Sequence, residues 1–95
     1  MDILFHVTTE DGALFLLPLA RACRRGGHAF GAFFTHEGVR GLRDAELQAV
    51  LRDGRAVVCE ESWHRFCNGL TCPVELGSQT VNSALMGEAK KVVSL

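Results

Sequence analysis

The sequence predicts an α/β domain: one small unit, residues 1–95, with a mostly parallel sheet of four to five strands flanked by helices. Three observations carry that expectation. Short apolar runs at 3–7, 28–35, 55–59 and 91–95 alternate with stretches of helical period. The runs lack the apolar–polar alternation of a one-sided sheet, so they suit strands covered on both faces. The chain has 95 residues, which supports one core and not two.

Each element has its own signal. Ile3-Leu4-Phe5-His6-Val7 is rich in strand formers and stops at Thr8-Thr9-Glu10-Asp11-Gly12. From Ala13 the apolar positions Leu16, Leu17, Ala20 and Cys23 keep helical spacing, and Arg24-Arg25-Gly26-Gly27 gives a basic last turn and a glycine stop. Pro18 removes one backbone bond inside this helix and predicts a kink or a weakened first half. Residues 28–35, with three phenylalanines, form the second strand and stop at His36-Glu37-Gly38. Leu47, Val50 and Leu51 mark a helix over 44–52 that ends at Asp53-Gly54.

Arg55-Ala56-Val57-Val58-Cys59 reads as the third strand. Glu60-Glu61-Ser62 then open a short helix through Trp63 and Phe66, because acids favour a first turn. Asn68-Gly69 is a turn. Residues 71–88 are the least legible stretch and predict one or two short helices, with Ser78 a candidate cap. Residues 91–95 close the fold as a fourth strand. Right-handed crossovers restrict this order to a few flavodoxin-like or Rossmann-like windings.

Composition excludes several classes. Hydrophobic residues make up 47% and charged residues 22%, ordinary for a globular chain and unlike a disordered one. A net charge of −1 provides no basic footprint for nucleic acid. A membrane span needs about 20 apolar residues, and the longest run, 13–20, contains Pro18. The opening Met1-Asp2 has no basic segment of a secretory leader, so the expected location is the cytoplasm. The four cysteines, Cys23, Cys59, Cys67 and Cys72, are then expected as reduced thiols.

Open parallel sheets bind ligands beyond the carboxyl ends of their strands. That rule selects Thr8-Thr9-Glu10-Asp11, Thr35-His36-Glu37-Gly38, Cys59-Glu60-Glu61-Ser62 and the end of the last strand. Cys59 is the thiol at such an end, and the helix after it favours a thiolate. Glu60 and Glu61 oppose that effect if they face the sulfur. A half-buried structural cysteine is the bland alternative. No glycine pattern here matches a dinucleotide or phosphate loop, so no cofactor is expected.

Cys59, His64, Cys67 and Cys72 form a C-x4-H-x2-C-x4-C array of sulfur and imidazole, which suits zinc but lacks paired C-x2-C knuckles. Cys67 and Cys72 offer a reversible disulfide or a sulfur relay, or plain packing beside Phe66 and Pro73. His6 reads as a core histidine, Cys23 as core, and Trp63 as core or as a surface beside the thiol. His36 either contacts a substrate or caps a turn.

The stretch Gly27-His28-Ala29-Phe30-Gly31-Ala32-Phe33-Phe34-Thr35-His36-Glu37-Gly38-Val39 resembles the GHEV…FFxxxGV segment of the DsrE/DsrF-like sulfur-relay family. The helix with Ala20 and Ala22, the strand ending in Cys59 and the closing strand also fit that pattern, whereas Pro18 and the Cys67/Cys72 pair do not. The resemblance implies a parallel α/β sheet and assembly into dimers, trimers or hexamers. It also implies that Cys59, on the family's cysteine position after the third strand, carries a persulfide to a partner protein. In that reading His36 steadies the anionic persulfide and Ser62, or a backbone N–H beside it, donates to it. Sulfur donor and acceptor proteins are the implied partners, and Phe30, Phe33, Phe34 and Trp63 suggest a homo-oligomer. Two rivals remain open: a non-catalytic subunit of an assembly, and a metal or redox sensor built on the cysteines.

Overall fold

The computed structural model describes residues 1–95. Five strands, β1 (Ile3–Val7), β2 (Phe30–Phe34), β3 (Arg55–Cys59), β4 (Glu75–Gly77) and β5 (Lys91–Ser94), form one sheet. All neighbours are parallel, in the order β4-β3-β2-β1-β5. The α/β architecture is therefore as expected, with a parallel sheet of five strands. Four α-helices join them: α1 (Glu10–Gly26), α2 (Ala45–Leu51), α3 (Glu60–Cys67) and α4 (Gln79–Glu88). The chain steps from β1 to β4 in one direction and returns to the far side of β1 for β5.

Right-handed crossovers turn this order into layers. Steps in one direction put α1, α2 and α3 on one face, and the return puts α4 on the other. The apolar clusters follow. Phe5, Val7, Phe34 and Val58 pack with Leu16 and Ala20 of α1, Val50 and Leu51 of α2, and Trp63 and Cys67 of α3. The opposite face holds a smaller cluster of Leu4, Phe33, Val57 and Cys59 under Leu85 of α4. β2 lies at the centre, and all five of its residues are buried. Burying a side chain such as Leu16 contributes about 1.5–3 kcal/mol.

Helix α1 starts three residues before Ala13, because the Thr9 hydroxyl caps it by accepting the Gly12 N–H at 2.8 Å. It ends on Gly27 in the left-handed conformation that glycine adopts freely. The helix runs through Pro18 as one element. Pro18 leaves the Leu14 carbonyl without its helical donor, and Leu14 is exposed, so water reaches that side of the helix. Arg21 and Arg24, on the solvated side, pair with Glu46 and Asp53, each at 2.9 Å.

Three further expectations need correction. The polar stop after β2 is a 3₁₀ helix, His36–Arg43, which buries Val39 and Leu42. The stretch 71–88 contains β4 as well as a single helix, and Ser78 precedes α4 without a side-chain capping bond. A three-residue strand at the sheet edge is too short to leave a periodic signal. Phe30, Phe33, Phe34 and Trp63 are all buried within one copy, so they give no reason for assembly. The exposed large apolar side chains are instead Leu14, Phe15, Leu19, Leu70, Leu76, Met86 and Val92. No helix is long and apolar enough to cross a membrane.

At the switch between β1 and β5, the crevice is filled by the chain itself. The Leu95 carbonyl accepts the Thr8 N–H at 2.9 Å, and a Cβ on Gly12 would meet that carbonyl carbon at 2.5 Å. An accessible site must therefore lie elsewhere along the carboxyl edge.

Candidate functional site

A cavity of about 620 Å³ opens beyond the carboxyl ends of β2, β3 and β4. Thr35 and His36 enter it from the end of β2, and Cys59 from the end of β3. Ser62 and His64 come from α3, and Gly77 to Thr80 from the β4–α4 junction. These strand ends are brought together by register, since Phe34 pairs with Val58 and Cys59 with Gly77. No lysine or arginine lines the cavity; its charged groups are Glu60 and Glu61, with His36 and His64 as the titratable bases.

Cys59 sits at the N-cap position of α3 and is 7% exposed, reached from the cavity rather than from open surface. Burial pushes its thiol up. Donors from the Ser62 hydroxyl and backbone N–H, the Thr35 hydroxyl and the Gln79 amide outweigh that, and the thiol lies below its ordinary value. None of these leading contributions comes from Glu60 or Glu61. The Ser62 N–H is one of the amides at the start of α3 without an intrahelical partner, and it favours the thiolate although Cys59 makes no side-chain capping bond. Glu60 instead faces His64, 3.8 Å away on the exposed side of α3.

The donors are held by one another. Ser62 is buried, and its hydroxyl accepts the His36 backbone N–H at 2.9 Å and lies 3.3 Å from the Thr35 hydroxyl. The Gln79 side-chain amide donates to Thr35 at 3.4 Å. His36 takes a left-handed backbone, with φ at +51°. Histidine is among the residues that tolerate this region, at a cost of roughly 1–3 kcal/mol. That turn leads the chain from β2 into the 3₁₀ helix while the His36 N–H stays on Ser62.

Cys59, His36 and Ser62 thus share one cavity. Cys67 and Cys72 do not join them. Cys67 ends α3, about 12 Å along the axis from Cys59 by helical rise, and packs in the opposite-face core with Trp63. Burial raises the Cys67 thiol, which Arg43 and Arg40 partly offset, and burial likewise raises Cys72. Burial also raises Cys23, packed in the core under α1. All four cysteines are free. No group of three or more His, Cys, Asp or Glu side chains is arranged to hold a metal, so the C-x4-H-x2-C-x4-C array is not assembled. Trp63 belongs to the core rather than to a surface beside the thiol, and its indole N–H donates to the Leu70 carbonyl at 3.3 Å. His6 is half-buried and stacks on Phe33, with ring centroids 6.1 Å apart.

Two residues of the constellation carried no sequence signal of their role. Thr35 lay in a segment chosen by the strand-end rule, but nothing marked its hydroxyl. Gln79 falls in the illegible stretch, and only the recognition of β4 there would have brought the α4 N-terminus to the site.

The fold and site define a parallel α/β domain with a buried, donor-lined thiol at a strand end. No protein-family model and no curated protein matches the chain.

Proposed function

We propose that the chain is a sulfur carrier in which Cys59 accepts sulfane sulfur as a persulfide and passes it to a partner protein's cysteine. The observation that supports this reading most is the set of donors around Cys59, which favours a thiolate at the base of a cavity large enough for an incoming sulfur. The Cys59 thiolate attacks the outer sulfur of a persulfide donor, R–S–S–H. A new S–S bond forms on Cys59, the donor's S–S bond breaks, and the donor leaves as a thiolate with the bonding pair. The acceptor thiolate then attacks the outer sulfur, and Cys59 leaves as a thiolate. Neither step changes the total oxidation state.

The Ser62 and Thr35 hydroxyls stabilise Cys59 as attacking and as leaving group. His36, on the cavity wall, faces the added sulfur. The absence of lysine and arginine from the lining suits a weakly charged sulfur donor better than a phosphorylated cofactor.

The test is mass spectrometry of intact protein after incubation with polysulfide. A single addition of about 32 Da, mapped to Cys59 and lost in Cys59→Ser, is the expected result. Sulfur that maps to Cys67 or Cys72 and survives Cys59→Ser would overturn the role of Cys59. Absence of any addition would favour a non-catalytic subunit.

A further inference from the structure

Asn82, one turn into α4, is 93% buried by its 7% exposure, and its Oδ1 is the one buried side-chain oxygen or nitrogen in the chain without a partner. A buried acceptor left unpaired is destabilising and calls for a reason. The other end of the same amide supplies one. Asn82 Nδ2 donates to Gln79 Oε1 at 3.3 Å, the two residues being three apart on one face of α4. With its oxygen engaged, Gln79 turns its Nε2 to the Thr35 hydroxyl at 3.4 Å.

The consequence is a constraint on the protons of the cluster, although either hydroxyl can donate across the Thr35–Ser62 contact. A hydroxyl has one proton and two lone pairs. Thr35 accepts from Gln79, and Ser62 accepts from the His36 N–H, which can only donate. Of the two hydroxyl protons, one bridges Thr35 and Ser62 and the other is left free to face Cys59. The reverse arrangement, with Gln79 presenting its oxygen, would draw the Thr35 proton away from the sulfur.

We propose that Asn82 is a positioning residue that fixes the Gln79 amide, and through it the hydrogen-bond chain, so that its donors face the Cys59 thiolate. Asn82 does not line the cavity and touches no substrate; it acts through Gln79. This rests on the reading of Cys59 as the working thiolate.

The experiment follows the rate of Cys59 alkylation by iodoacetamide against pH, read by peptide mass spectrometry. Asn82→Leu removes the anchor. Asn82→Asp can only accept, so it should turn the Gln79 amide around. Gln79→Glu keeps the bond to Asn82 and offers Thr35 no donor. Each variant should move the midpoint up by about half a unit or more, roughly threefold less thiolate at neutral pH. Gln79→Leu should do the same, and adding Asn82→Leu to it should move the midpoint no further, since the two act in series. A wild-type midpoint in Asn82→Leu, or additive shifts in the double variant, would overturn the proposal. Gln79 is exposed, so its variants should fold even if those of Asn82 do not, and an unchanged midpoint in Gln79→Leu is equally fatal. Expected midpoints without sulfur uptake would retain this role and sink the carrier reading; sulfur uptake with unmoved midpoints would do the reverse.

Discussion

The Ser62 hydroxyl on α3 lies 3.3 Å from the Thr35 hydroxyl at the end of β2, joining positions 27 residues apart. Neither residue is charged, yet together they set the chemistry of a third. Cys59 is buried, and burial alone would raise its thiol; the donors around this contact bring it below its ordinary value. The pair also explains why His36 holds a strained backbone: its N–H completes the Ser62 acceptor.

The first prediction concerns the order of thiol reactivity. Cys59 is the one thiol held below its ordinary value, while burial raises Cys23, Cys67 and Cys72. Iodoacetamide at about pH 7.5 should therefore label Cys59 first, through the cavity. Ser62→Ala removes a donor to a charged sulfur and should raise the Cys59 midpoint by about one unit. Peptide mapping of partially labelled protein checks both points. First labelling of Cys72, the most exposed of the four thiols, would show that exposure and not the donor cluster governs reactivity.

The second concerns acid stability. Burial pushes the His6 imidazole below its ordinary value, and the nearby His36 adds to the shift. Below about pH 6.5 the unfolded chain takes up a proton at this position that the folded chain resists. The His6 contribution is thus fully present above that pH and is lost as the pH falls toward the folded value. His6→Phe keeps a ring against Phe33 and removes the titration. Urea unfolding at a series of pH values should show a flatter acid slope for the variant; an identical slope would refute the assignment.

The third compares two glycines. A Cβ on Gly41 would lie 2.1 Å from the Ala13 Cβ, where the 3₁₀ helix crosses α1. Gly41→Ala should cost about 1–3 kcal/mol by overpacking. A Cβ on Gly87, inside α4, meets nothing within 4 Å. Gly87→Ala should therefore stabilise by about 0.5–1 kcal/mol through helix propensity. Denaturant midpoints of the two variants should move in opposite directions.

The fourth concerns metal. Cys59 and Cys67 stand at opposite ends of α3, and no cluster of ligating side chains joins them. With no such cluster to hold an ion, a strong chelator should leave the melting temperature unchanged. A loss of several degrees on chelation would mean that metal supplies folding energy.

Much of the fold was legible because its signals are local. The apolar runs that became β1, β2 and β3 lie in a sheet covered on both faces, and burial on both faces is what removes alternation from a strand; β5, an edge strand with no fully buried residue, was legible from its short run of β-branched residues instead. Helix α1 was legible from its stripe of Ala13, Leu16, Ala20 and Cys23. β4 was not, since three residues at an edge carry no period. The 3₁₀ helix was missed because polar residues and glycines alternate there with Val39 and Leu42, a pattern that reads as a loop until α1 and α3 are packed against it.

The site divides in the same way. The sequence by itself determined that Cys59 ends a buried strand and begins a helix, because strand composition and acidic helix starts are properties of neighbours along the chain. It also drew attention to His36 and Ser62 as residues at strand ends. Only the tertiary structure decided the sign of the shift on Cys59. Burial and the helix start are local, but the donors that outweigh burial come from Thr35, just after β2, and Gln79 on α4, as well as from Ser62. They meet because parallel strands in register place their carboxyl ends side by side, whatever their separation in sequence. A hydrogen bond depends on distances of about 3 Å, and no spacing along the chain encodes that distance between β2, α3 and α4.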